Sequence, residues 1–218
     1  MSKYRLIIGN KNYSSWSLRP WLVMKQAGIE FDELCIPLYQ QGESKERIRQ
    51  VSPSGKVPAL VDGTLTVWDS LAICEYLAER HPGLWPEDAA ARAVARSASA
   101  EMHSGFPSLR THMTMNIRKD YAGKGIGIGV PQEIARIFSI WEDCRARFGA
   151  GGPFLCGKFS IVDAMYAPVV MRFRTYAVPV PAGLKSYYEA ILALPALQEW
   201  VAAAKAEVAS IPSEDCYG

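Results

Sequence analysis

Residues 57–69, VPALVDGTLTVWD, set the dipeptide Asp62-Gly63 between two short runs rich in β-branched residues. This is the strongest short-range hairpin signal, because tight loops demand a positive φ that glycine adopts at no steric cost. The chain ahead of it reads differently. Tyr4 to Ile8 is a short apolar run ended by the turn-formers Gly9 and Asn10, a plausible buried strand. From Ser17 to Ala27 the apolar residues Leu18, Trp21, Leu22 and Met24 fall at helical spacing, with Gly28 where a C-cap belongs. Pro20 falls in the first turn of that helix, where a missing N–H costs little. Phe31 to Leu38 reads as a second strand, Glu46 to Val51 as a short helix, and SLAICEYLAERHP, after the hairpin, as a helix with Leu71, Cys74 and Leu77 on one stripe. The first part of the chain is thus expected to run β-α-β-(α)-β-β-α.

The stretch HPGLWPED is rich in Pro and Gly and reads as a linker. Beyond it the pattern is helical throughout: Ala89 to Met115, Pro131 to Phe148, Ile161 to Tyr176, Gly183 to Leu192 and Pro195 to Ala209, with residues 121–131, YAGKGIGIGVP, as a flexible loop. The reading divides the chain into a first domain over residues 1–82 and an all-helical one over 83–218. A formal charge of +2 in 218 residues argues against nucleic acid or an anionic membrane as partner. The cysteines, Cys35, Cys74, Cys144, Cys156 and Cys216, are odd in number and widely spaced, which fits a reducing compartment. With no signal peptide and no apolar run long enough to span a bilayer, the expectation is a soluble cytoplasmic protein without a metal.

Two motifs carry candidate chemistry. Val57-Pro58 opens a strand where proline donates nothing to the ladder. It is either an edge-strand proline or a cis bond that turns the main chain of Val57 toward an extended peptide ligand. Asp69-Ser70 precedes an apolar helical stripe, an N-cap whose free N–H groups also suit a carboxylate. A third motif, Ser160 with Asp163, is a capping box and reads as structural.

In order and spacing, SSWSLRPWLVMKQAGIEF, SPSGKVPALVDG, WDSLAICEYLAERHP and GKFSIVDAMYAPV resemble the cytosolic glutathione S-transferases of serine type. The first stretch is most similar to the zeta class, the maleylacetoacetate isomerase-like members, whose S-S-C-S-x-R pattern matches residues 14–19. The resemblance implies a thioredoxin-like N-terminal domain, an all-helical C-terminal domain, a homodimer, glutathione as co-substrate and a detoxifying conjugation to a small electrophile. It implies that the hydroxyl of Ser14, with Ser15 beside it, meets the glutathione sulfur, and a hydroxyl donor there favours the thiolate. It further implies that Val57, next to Pro58, pairs with the cysteinyl main chain, that Ser70 and Asp69 hold the γ-glutamyl end, and that Lys56 reaches the glycyl carboxylate.

For the electrophile the resemblance points to Trp16, to Met102, Phe106 and Arg110 on the first helix of the second domain, and to Arg174, where the zeta pattern has an arginine. The helical spacing of Met102, Phe106, Leu109 and Met113 equally suits plain core, and His103 reads as a packed or surface histidine. Trp16 departs from the zeta cysteine. Two alternatives stand beside the transferase: a glutathione-dependent cis–trans isomerase, and a non-catalytic glutathione-binding regulatory protein. A cysteine-based redox activity is disfavoured, because no cysteine precedes residue 35.

Overall fold

A computed structural model of the protein describes residues 3–38 and 42–217. Strand β1 (Tyr4–Ile8) leads into helix α1 (Ser15–Gln26) and strand β2 (Phe31–Cys35), which pairs parallel to β1. Helix α2 (Glu43–Val51) precedes the hairpin of β3 (Ala59–Asp62) and β4 (Leu65–Trp68), and helix α3 (Ser70–Ala78) follows it. The sheet order is β2-β1-β3-β4, with β3 antiparallel to both neighbours. Because successive strand residues point to opposite faces, Leu6 and Ile8 pack with Leu18, Leu22, Ile73 and Leu77 on one side of the sheet. Ile7 packs with Ile36, Ile48 and Ala59 on the other. Each such side chain, fully buried, contributes about 1.5–3 kcal/mol.

The remaining helices are α4 (Ala89–Ser104), α5 (Pro107–His112), α6 (Val130–Phe148), α7 (Ile161–Thr175), α8 (Lys185–Leu192) and α9 (Pro195–Ala206), with a single 3₁₀ turn at Ala182–Leu184 before α8. Helix α7 is buried on nearly every face and packs against both α1 and α4, so the first part of the chain shares one apolar core with the second. The expected capping box holds its start: the Asp163 carboxylate accepts the amides of Ser160 at 2.8 Å and Leu155 at 3.0 Å. Among the described residues, no helix is long and apolar enough to cross a membrane.

The structure departs from the sequence reading at four places. Helix α1 begins at Ser15 rather than Ser17, so Pro20 lies inside it rather than in its first turn. The hairpin loop is Gly63-Thr64, one residue beyond the expected pair, with the positive φ of 59° at Gly63. The helix expected over Ala89 to Met115 is broken: Gly105 is extended, Phe106 takes a φ of 62°, and Pro107 starts α5. Proline disfavours the helical region for the residue before it, which explains the break. The loop expected over residues 121–131 ends earlier, because Val130 starts α6; its first residue is anchored, the Tyr121 amide donating to the Thr175 carbonyl at 2.7 Å with Tyr121 buried, while Ile126 and Ile128 are exposed. A Cβ on Gly127 would lie 2.2 Å from the His112 ring, so the loop approaches as closely as only glycine allows.

Candidate active site

The end of β1 and the start of α1 build the first wall. The Asn10 carbonyl accepts the amides of Tyr13 and Ser14, which turns the chain so that Ser14 caps α1. The Ser17 hydroxyl accepts the Gly9 amide at 3.1 Å and shares a 2.7 Å hydrogen bond with the Ser14 hydroxyl. The Ser15 hydroxyl oxygen, one residue on, accepts from the Arg172 guanidinium of α7 at 3.3 Å. With its oxygen already accepting a charged donor, Ser15 keeps its proton for another acceptor. Both serines are buried residues that line a cavity of about 670 Å³.

On the sheet side the cavity is walled by Lys56 and Val57. The Val57-Pro58 bond is cis, as the second of the two sequence readings has it, and Pro58 is buried beneath it. On the helical side stand Trp16, Arg110, Thr114, Met115 and Arg172, and the C-terminal segment adds Glu214.

Asp69 and Ser70 lie at the start of α3, away from this lining. Asp69 caps the helix at a φ of 76°, its carboxylate accepting the Leu71 amide at 2.9 Å. Its other oxygen meets His103 Nε2 at 3.2 Å, so the histidine is neither plain core nor free surface. Burial holds His103 below its ordinary pKa. The buried Ser70 hydroxyl accepts from Arg19 at 3.3 Å, which leaves its own proton to point at an incoming acceptor.

Trp16 connects this end to the cavity. Its indole is flanked by two guanidiniums, Arg19 at 4.3 Å and Arg110 at 4.6 Å from the ring centroid, with His103 edge-on at 5.3 Å. Arg19 is fully buried, and its Nε and Nη2 have no hydrogen-bond partner among the described residues. Burial, then the charges of Arg110 and Arg172, push its pKa down to about 9, still cationic at neutral pH. Arg172, also buried, is lowered to about 9 chiefly by burial, and it donates to Ser15 and to the carbonyls of Met113 at 2.7 Å and Pro168 at 3.3 Å.

Ser14, Ser15, Trp16, Lys56, Val57 and Arg110 thus share one cavity as expected from their sequence context. Three expected substrate contacts are corrected. Met102 and Phe106 are core residues, 1% and 5% exposed, and Met102 serves the site only through its carbonyl, which accepts from Arg110. Arg174 is exposed on the far side of α7, its charge felt by Tyr188, because two residues along a helix turn a side chain through about 200°. The arginine of α7 that lines the cavity is Arg172. Arg172 and Glu214 were both missed, and the sequence carries no signal that singles out either, since α7 is buried on nearly every face.

A family model for the glutathione S-transferase N-terminal domain matches residues 13–80, and one for the C-terminal domain matches residues 88–203. A probable maleylacetoacetate isomerase of Caenorhabditis elegans is 33% identical over 77% of this chain and 78% of its own. Two solved structures share the fold. A bacterial zeta-class maleyl pyruvate isomerase superimposes with a TM-score of 0.72 at 21% identity, covering 94% of this chain and all of its own. A Burkholderia glutathione transferase homologue with bound glutathione does so with a TM-score of 0.69 at 24% identity, covering 94% and 99%. The β-α-β-α-β-β-α unit is therefore the thioredoxin-like half, followed by the helical half, and the chain belongs to the glutathione S-transferases, a family of enzymes.

Proposed function

We propose that the chain binds glutathione along the sheet side of the cavity and attacks a small electrophile with its thiolate on the helical side. In this reading the Val57 main chain pairs with the cysteinyl portion, Lys56 reaches the glycyl carboxylate, and Ser70 with Asp69 holds the γ-glutamyl end. The sulfur is received by Ser14, with Ser15 beside it, and the second substrate lies against Trp16, Arg110 and Arg172, the last replacing Arg174. The carrying observation is that two hydroxyls at the start of α1 share one cavity with Val57 and two arginines. Hydroxyl donation stabilises the thiolate, and holding both reactants together supplies the rest of the acceleration. The family resemblance also supports a cytoplasmic homodimer with a detoxifying role, which belongs to the same proposal.

A second reading, glutathione-dependent cis–trans isomerisation of an unsaturated diacid of the maleylacetoacetate type, is favoured by Arg110 and Arg172 in the cavity, since a guanidinium suits a carboxylate. Retention on immobilised glutathione and conjugation of 1-chloro-2,4-dinitrobenzene test the first reading; isomerisation of maleyl compounds tests the second. A protein that neither binds glutathione nor conjugates would refute the proposal.

A further inference from the structure

Helix α1 buries one charged side chain beside the cavity, that of Arg19. It follows Trp16 by three residues, on the same face of the helix. Because α1 packs against α3, the guanidinium is carried to the first residue of α3. Nη1 donates to the Ser70 hydroxyl oxygen at 3.3 Å, while Nε and Nη2 have no hydrogen-bond partner among the described residues. The neighbouring arginines are better served. Arg172 donates from all three nitrogens, to Met113, Pro168 and Ser15, and Arg110 donates from two, to the carbonyls of Gly105 and Met102.

Among the described residues, Arg19 forms no ion pair within contact distance. Asp69, the carboxylate whose charge reaches it, has one oxygen on the Leu71 amide and the other on His103 Nε2. Arg110 and Arg172 add only like charge. Trp16, which lines the cavity, covers the guanidinium and offers it no acceptor. A buried cation without a contacting anion carries a desolvation cost that an incoming anion offsets. The route for that anion is Ser70. Its oxygen already accepts from Arg19, so its proton is left for a second acceptor, and hydrogen bonds in series strengthen one another. The positive end of the α3 dipole lies at the same point.

We propose that Arg19 is a positioning residue for the γ-glutamyl end of glutathione: its unpaired guanidinium, acting through Ser70, supplies the positive charge that holds the α-carboxylate of that end. This rests on the glutathione reading above and deepens it, because it gives a residue outside the cavity lining the recognition of one group of the ligand. Trp16 keeps water from the guanidinium and so keeps its charge directed at Ser70.

The test uses S-methylglutathione and two analogues of it. One has 4-aminobutanoyl in place of γ-glutamyl and lacks the α-carboxylate; the other has glutaryl there and lacks the α-ammonium. Calorimetric binding to the whole protein gives the penalty for losing each group as a ratio of affinities, in which damage common to all three ligands cancels. In the wild type, loss of the carboxylate should weaken binding about 100-fold, the order of a hydrogen bond to a charged group. In Arg19→Gln that ratio should shrink about tenfold, as expected when one charge near the carboxylate is removed, while the ratio for the ammonium keeps its wild-type value. Arg19→Lys, which keeps the charge, should restore most of the carboxylate ratio; a ratio as low as that of Arg19→Gln would overturn the proposal. Arg19→Met, apolar and of similar length, repeats the neutral arm if Arg19→Gln does not fold. An unchanged carboxylate ratio in a folded neutral variant would overturn the role of Arg19. So would loss of the fold in both neutral variants, which would make Arg19 a structural cation. A wild type that binds S-methylglutathione and the aminobutanoyl analogue equally would overturn this inference and leave the glutathione reading standing, whereas failure to bind S-methylglutathione at all would overturn that reading and this inference with it.

Discussion

Replacing Ser14 and Ser15 by alanine, singly and together, probes the chemistry at the start of α1. A hydrogen bond to a charged group is worth about 1.5–3 kcal/mol, and one pKa unit corresponds to about 1.4 kcal/mol. Removing the donor to the sulfur should therefore raise the pKa of the bound thiol by about 1–2 units. The structure separates this from damage to the fold. In Ser14→Ala, the Ser17 hydroxyl keeps the Gly9 amide at 3.1 Å, so the loss is one helix cap, about 1 kcal/mol of stability. In Ser15→Ala, Arg172 keeps its bonds to the Met113 and Pro168 carbonyls. The assay is the thiolate absorbance near 240 nm of the enzyme–glutathione complex as a function of pH, read beside a urea unfolding curve. Ser14→Ala should give the larger displacement and the double variant at least as much. If none of the three variants moves the thiol pKa by about half a unit while glutathione stays bound, the serines are caps and the proposed chemistry is wrong.

Other outcomes follow from groups away from the sulfur. Asp163→Ala strips the acceptor from two buried amides, those of Leu155 and Ser160, and should cost about 2–5 kcal/mol, read as a lower urea midpoint at unchanged slope. Burial, opposed by those same amide bonds, pushes the Asp163 carboxyl from 3.8 up to about 7. The folded chain then keeps a proton that the unfolded chain has released, so stability should fall as pH rises from about 4 to about 7. Asp163→Asn removes that titration, and a wild-type slope that persists in the variant would refute the assignment. Brief alkylation of the native protein should label the exposed Cys216 first, because Cys74 is fully buried and its thiol is pushed up to about 12; peptide mass mapping reads the order.

Much of the fold was legible because it rests on local rules. The unbroken apolar run of Leu6, Ile7 and Ile8 specifies a strand covered on both faces, and Ser160 with Asp163 specifies a helix start, whatever else the chain does. The site was legible where a motif carried it, as at Ser14, Ser15 and Val57. It was illegible where tertiary packing decides. The break at Gly105 and Phe106 depends on the backbone before Pro107, and a run of apolar residues at helical spacing hides it. Choosing Arg172 over Arg174 requires knowing which face of α7 meets α1, and a helix buried all round gives no polar face to read that from. Residues 207–217 show no period at all, since hydrogen bonds to distant partners such as Asn116, Arg118 and Tyr13 hold them.

The way this last segment is stitched down bears on how the enzyme is handled. Pro212 and Ser213 are exposed, whereas Glu214 and Asp215 just beyond them complete the chamber and fasten its lip to Tyr13. A single nick by a contaminating protease at that spot would shift the mass too little for a gel to show and leave the bulk of the molecule intact. It would nonetheless strip away one wall of the chamber and the anchor of its lip, so two purifications of the same clone would disagree in activity.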